Sequence, residues 1–306
     1  MEAYLDNSAT TRCLEEVTDK MVHIMREDYG NPSSLHQKGL DAGHYIKETK
    51  EILAKEWKVD SKEIVLTSGG TESNNLALIG AALANKRSGN RIITSKVEHA
   101  SVSSTMAFLE SLGFEVVYLN VDHQGIVDLE QLEQEVNEDT ILVSVMYVNN
   151  EIGAVEPIQE IAEIIKEKNP KTLFHVDAIQ AFGKYHIYPK RMGIDLMSVS
   201  GHKIHGPKGT GALFIKNRTK VKPIIYGGGQ QDGMRSGTEN VPGFAGFGLA
   251  TKIVYEDLEA RIVRMRAVKD RLTERLKTLP DVYINEGEAP HILSVSFVGV
   301  RSEVML

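Results

Sequence analysis

The chain has 306 residues, 42% of them hydrophobic and 25% charged, which is ample apolar material for a sizeable core. Lys and Arg number 35 against 42 Asp and Glu, a net charge of −7 that argues against a general nucleic-acid binder. No apolar run nears the roughly 20 residues of a membrane span, and the single cysteine, Cys13, excludes an internal disulfide framework or a cysteine-based zinc finger.

Met1 to Asp6 lacks a basic stretch followed by an apolar one, so no secretory signal is expected and a cytoplasmic location is. The first strand-like run is Glu63–Thr67, followed by Ser68-Gly69-Gly70-Thr71-Glu72-Ser73 and a helix-like segment, Thr71–Lys86. Two glycines and two hydroxyls at a helix start offer free N–H groups to an anion such as a phosphate, although a plain turn capped by Thr71 has the same sequence. Strand-like Arg91–Ser95, Glu115–Leu119 and Thr140–Val148 then alternate with helix-like Ser101–Leu112, Leu129–Val136 and Ile158–Lys168. The run Thr172–Asp177 ends on an acid, with Gln180 three residues on. That carboxylate either caps the next segment or faces a heterocyclic nitrogen, which it would keep protonated.

Leu196–Ser200 leads into Gly201-His202-Lys203-Ile204-His205-Gly206-Pro207-Lys208-Gly209-Thr210. A lysine at the mouth of a sheet, flanked by small residues, is a candidate Schiff-base amine. Pro207 separates the glycine and lysine that a P-loop keeps adjacent, and His202 and His205 lack a third ligand at a metal-binding spacing, so no metal is expected. The strand-like Gly211–Lys216 runs into basic Lys216–Lys222, a solvated loop or a partner-docking surface, and the loop from Gly227 to Asn240 is rich in glycine and hydroxyls. Strand and helix in alternation predict an α/β fold, a largely parallel sheet with helices on both faces, and ligands beyond the carboxyl ends of its strands. After Pro242 the pattern changes: apolar residues from Val254 to Leu276 recur at helical spacing and predict one long helix, then Asp281–Asn285 and Ile292–Val298 read as strands. The expected division is a large domain over residues 1–245 and the start of a small α+β domain over 246–306.

Taken in order, Gly-Gly-Thr before a helix, Glu98-His99, Asn149-Asn150-Glu151, Asp177 with Gln180, Ser200 with His202-Lys203, and Arg235-Ser236-Gly237-Thr238 closely resemble the cysteine desulfurases of the NifS/IscS type. These are pyridoxal-phosphate enzymes of the class-V aminotransferase group. Tyr4 to Thr11 and Gly30-Asn31-Pro32-Ser33-Ser34 fit the same family, so the resemblance runs from about residue 3 to the last residue. It implies an aminotransferase-like, fold type I large domain, with the first residues packing with the small domain.

The resemblance also implies roles. Lys203 would hold pyridoxal 5'-phosphate through its amine and shuttle protons, Asp177 would pair with the ring nitrogen, and His99 would stack on the ring. Gln180 and Asn150 would address the ring oxygen and the incoming amino acid; Gly70, Thr71, Ser200 and His202 would bind the phosphate. Thr238 would complete that phosphate site from the other subunit of a homodimer. The family commonly has Ala where this chain has Gly70; because that contact uses the backbone N–H, the difference should be tolerated. The implied reaction takes sulfur from L-cysteine, leaves L-alanine and delivers a persulfide to an acceptor protein, an iron–sulfur scaffold or a tRNA-thiolation enzyme. Transamination, selenocysteine cleavage or a catalytically silent scaffold are the alternatives, and neither a membrane nor direct nucleic-acid binding is expected. The family's nucleophilic cysteine and its substrate-carboxylate arginine lie beyond the segment resembling Pro290 to Phe297, so both are expected to follow Leu306, and Cys13 does not match the nucleophile's place.

Overall fold

The computed structural model describes residues 3–285, 287–301 and 304. Seven strands form one sheet: β1 (Ile64–Thr67), β2 (Arg91–Ser95), β3 (Glu115–Leu119), β4 (Thr140–Met146), β5 (Leu173–Asp177), β6 (Leu196–Ser200) and β7 (Gly211–Ile215). Their order is β1-β7-β6-β5-β4-β2-β3. Only β7 runs antiparallel to its neighbours, β1 and β6. Every residue of β4 is buried because helices cover both faces, which is why a parallel sheet reads as a near-continuous apolar run. Polar residues are buried in the sheet as well: His175 of β5 is fully buried, with Nδ1 2.8 Å from Ser144 Oγ on β4 and Nε2 3.0 Å from Ser198 Oγ on β6. Burial pushes its pKa down to about 3, so it joins three strands as a neutral ring.

The helices are α1 (Glu15–Arg26), α2 (Gln37–Trp57), α3 (Gly70–Asn85), α4 (Ala100–Ser111), α5 (Leu129–Glu135), α6 (Ile158–Lys168), α7 (Val241–Glu256) and α8 (Leu258–Leu276). Neither α1 nor α2 is among the expected segments, although Val17, Met21 and Ile24 recur at helical spacing in α1. Both start without a side-chain cap, and α2 carries Gly39 and Gly43 inside it. Tertiary packing stabilises them instead, because α7 lies against both. Close approach there needs a small residue: a Cβ at Gly248 would sit 2.8 Å from Thr49 Oγ1.

The long helix expected from Val254 to Leu276 is two helices, α7 and α8, with the break at Asp257 (φ −126°, ψ 28°). The apolar spacing continues across the break because Val254 and Leu258 both point into the same core. Periodicity alone therefore cannot reveal it. Residue 245 lies within α7, and α8 leads to a separate antiparallel hairpin, β8 (Val282–Asn285) with β9 (Ser294–Phe297). Between them Ala289 N donates 2.9 Å to Gly153 O, and Ala289 and Ile292 belong to the main core.

Candidate active site

A cavity of about 490 Å³, within the usual range for small-molecule sites, opens where β4, β5 and β6 end. Its wall combines Gly70 and Thr71 from the start of α3, His99 before α4, Asn150 after β4, Asp177 and Gln180 at and after β5, and Ser200, His202 and Lys203 after β6. Residues up to 133 positions apart are thus brought together by strand order. Thr238 is the one expected site residue outside this wall; it is exposed.

One end of the cavity suits an anion. Gly69, at φ 150°, is the N-cap of α3 and has no side chain to offer, so the first N–H groups of the helix remain uncapped. Thr71, Ser200 and His202 stand beside them. His202 Nδ1 lies 3.1 Å from Thr10 Oγ1, and burial together with the charges of Lys203, Lys208 and Lys184 drives its pKa down to about 4. Burial is the larger cause, but the three nearby lysines mark a positive neighbourhood, which an anion would relieve. Behind it, Glu72 receives Arg235 Nε at 2.6 Å and Nη2 at 3.2 Å, and accepts from Ser68 N at 2.9 Å. This pair fastens the loop bearing Thr238 to the first turn of α3.

At the other end, Asp177 is 4% exposed. Its Oδ1 accepts from Ile179 N at 3.0 Å and its Oδ2 from Asn74 Nδ2 at 2.8 Å, leaving each oxygen room for one further donor. Burial raises its pKa, while these donors and the charges of His99 and Lys203 pull the other way.

Lys203 Nζ donates to Ser8 O and, at 2.8 Å, to Ala9 O. Burial lowers its pKa and Asp177 and Asp6 oppose that shift, a balance that favours a reactive amine. On its other side, Lys184 Nζ donates 2.7 Å to Lys203 O, and burial with the Lys203 charge depresses the Lys184 pKa to about 7. Gln180 is held between Ser8 O, 2.9 Å from its Nε2, and His291 Nε2, 3.2 Å from its Oε1.

Next to His99, the Glu98 carboxyl accepts from Ser95 Oγ at 2.7 Å and Met146 N at 2.9 Å, and its other oxygen is buried without a partner. Burial lifts its pKa to about 8. Local sequence gives no signal for Asn74 or Lys184, since each matters through contacts far along the chain; Ser8 and Ala9 lie in the Tyr4 to Thr11 stretch, and Ser101 is two residues from His99. The donor set fits pyridoxal phosphate: an uncapped helix start for the phosphate, an amine for the aldehyde, and a buried carboxylate with spare acceptor capacity for a ring N–H.

The class-V aminotransferase family model matches residues 3–306. The chain is 44% identical over 309 residues to a cysteine desulfurase IscS of Dictyoglomus turgidum, covering 100% of this chain and 78% of that protein. Among solved structures, a NifS-like protein superposes with a TM-score of 0.97 at 41% identity, covering 100% of this chain and 84% of that one. A structure described as SspA in complex with cysteine superposes at 0.78 with 39% identity over 82% of this chain and 72% of the other.

Proposed function

The chain belongs to the class-V aminotransferase family, and from that premise we propose that the cavity at the ends of β4, β5 and β6 binds pyridoxal phosphate and serves a cysteine desulfurase reaction, L-cysteine to L-alanine. The observation that carries this reading is one cavity holding an amine, Lys203, a buried carboxylate, Asp177, and the uncapped start of α3. When bound, the cofactor supplies an aldehyde that condenses with amines and a cationic ring that draws electrons from the substrate Cα.

The remaining roles inside the cavity fall to the chain's own residues. Gly70 N–H, Thr71, Ser200 and His202 hold the phosphate, fixing the ring's position. Asp177 holds a proton on the ring nitrogen through a charge-assisted hydrogen bond. Lys203 Nζ would hold the aldehyde at rest and, when free, would take and return the proton at Cα. His99 covers the ring face, and Gln180 and Asn150 face the ring oxygen and the incoming amino acid.

The working unit is a homodimer in which Thr238 of the partner subunit completes the phosphate site; the Arg235–Glu72 pair, 2.6 Å, sets the loop for that reach. Sulfur leaves as a persulfide toward an acceptor protein in the cytoplasm, an iron–sulfur scaffold or a tRNA-thiolation enzyme. The only thiol in the 306 residues, Cys13, lies outside the cavity wall, packed beside the core. We therefore assign the accepting thiol to a group other than Cys13.

The test is to saturate the protein with pyridoxal phosphate, reduce with borohydride and map the labelled peptide. The label should fall on Lys203. A label on Lys184 or Lys208, or none on saturated protein, would overturn the assignment.

A further inference from the structure

Asn74 lies in the second turn of α3 with its side chain fully buried, between Asp177 and Ser101, the residue hydrogen-bonded to His99. Its Nδ2 donates 2.8 Å to Asp177 Oδ2 and 2.8 Å to Ser101 Oγ, which uses both of its hydrogens. Ser101 Oγ, having accepted, still has its own hydrogen to give, and His99 Nδ1 lies 2.8 Å away. The Ser101 backbone N–H also donates to Nδ1, at 3.0 Å, and a backbone N–H has no second polarity.

His99 Nδ1 therefore receives two donors and carries no hydrogen, so the ring hydrogen sits on Nε2. The Asn74 carboxamide could not be reversed without setting its oxygen against the Asp177 carboxylate. Its Oδ1 is buried and unpartnered as it stands. Leaving that one acceptor unsatisfied is unfavourable, and the two donor bonds offset it.

We propose that Asn74 is a positioning residue that sets the hydrogen-bond polarity of this site: its two N–H groups fix Asp177 as an acceptor and, through Ser101, fix His99 as the Nε2–H tautomer. Resting on the reading of Asp177 and His99 given above, this makes His99 a stacking surface and an Nε2–H donor, and leaves proton removal at Cα to Lys203.

The experiment is nitrogen NMR on protein labelled with ¹⁵N-histidine, with His99→Gln used to assign the signals, first without cofactor and then loaded. At about pH 8, above the range in which histidine ordinarily titrates, Nδ1 should resonate as an unprotonated nitrogen and Nε2 as a protonated one. In Asn74→Asp the new carboxylate draws the Ser101 hydrogen to itself, and the His99 Nδ1 signal should move toward the protonated position. Asn74→Ala, which only frees the hydroxyl to rotate, should produce a partial move and serves if the Asp variant does not fold. Ser101→Ala retains the backbone donor and should keep the Nε2–H tautomer. An Nδ1–H ring in the unaltered protein, or unchanged His99 signals in the folded Asn74 variants, would overturn the proposal. Because the first measurement needs no cofactor, a failure to load Lys203 would count against the cofactor reading and leave this one standing.

Discussion

Alanine at position 70 would preserve the N–H assigned to the phosphate and yet disturb the site from its far wall. A Cβ on Gly70 would lie 2.1 Å from Ile179 Cδ1, 2.9 Å from its Cγ1 and 3.8 Å from Ser200 Cβ. Carbon atoms rest at about 3.6 Å, so the Ile179 tip must retreat by about 1.5 Å, and the open space beside it is the cavity it lines. Overpacking of this kind is unfavourable by about 1–3 kcal/mol. Relief from glycine's backbone entropy offsets roughly 0.5–1 kcal/mol of that. A net loss of ~1 kcal/mol follows, expressed as reduced stability, as about fivefold weaker cofactor binding, or as a share of each.

Shortening Ile179 removes the collision, so the two substitutions should be coupled. In an Ile179→Ala background, Gly70→Ala should be neutral or slightly stabilising, a coupling of about 1–2 kcal/mol. Urea unfolding of the four cofactor-free proteins measures the stability half, and absorbance titration with pyridoxal phosphate the affinity half. Gly70→Ala matching the unaltered protein in both assays, or strictly additive effects, would refute the reasoning. The backbone-only view of Gly70 taken from the sequence omits Ile179, a neighbour 109 positions away.

Asp177→Asn should retain measurable cofactor and lose at least 100-fold in turnover, since a neutral amide cannot hold the ring nitrogen protonated; turnover at the original rate would remove that role. Burial raises Glu98 from the usual 4.5 to about 8 and Glu156 to about 7, so the folded chain keeps protons that the unfolded chain has released. Stability should therefore decline as pH rises from about 4.5 to about 8, and Glu98→Gln should flatten the decline in thermal midpoint without abolishing it. Lys203→Ala and Thr238→Glu homodimers should each be inactive, while mixed dimers should regain turnover at the one site with both residues intact; no recovery would argue against a shared site. Cys13→Ala should release alanine from L-cysteine at an unchanged rate with dithiothreitol as acceptor, and a lost rate would make Cys13 the nucleophile.

The sheet is legible in the sequence because most of its strands are buried on both faces, the edge strand Glu115–Leu119 being only half-buried. Arg91–Ser95, Glu115–Leu119 and Leu196–Ser200 stand out as β-branched or apolar runs bounded by turn residues, and they form β2, β3 and β6 with those limits. That Asp177, Ser200 and Lys203 would line one cavity at the strand ends is readable for the same reason, since topology sends every parallel strand's carboxyl end to one side. Residues that act by reaching across the fold leave no local mark. Asn74 reads as one more polar helix residue, and Lys184 as a surface charge, though it is 8% exposed. The break at Asp257 is hidden because both flanking helices bury residues in one core.

The N-terminal segment shows what this long-range logic does for the amine. Thr11 N and Oγ1 donate to His202 O at 2.9 and 2.8 Å, Thr11 Oγ1 accepts from His205 N at 2.7 Å, and Leu14 N donates to His205 O at 3.1 Å. A strap nearly two hundred residues away thus splints the short turn that carries Lys203, which ends at His205 in a left-handed conformation, φ 63°. Lys184 secures the same turn from the other side through Lys203 O. The turn is held from both sides, while Lys203 Nζ is held, among the described residues, by the carbonyls of Ser8 and Ala9. Those two bonds are the ones an aldehyde carbon would displace. The amine can therefore leave its resting acceptors without any change in the turn, and the reach of Nζ into the cavity is set before the cofactor arrives.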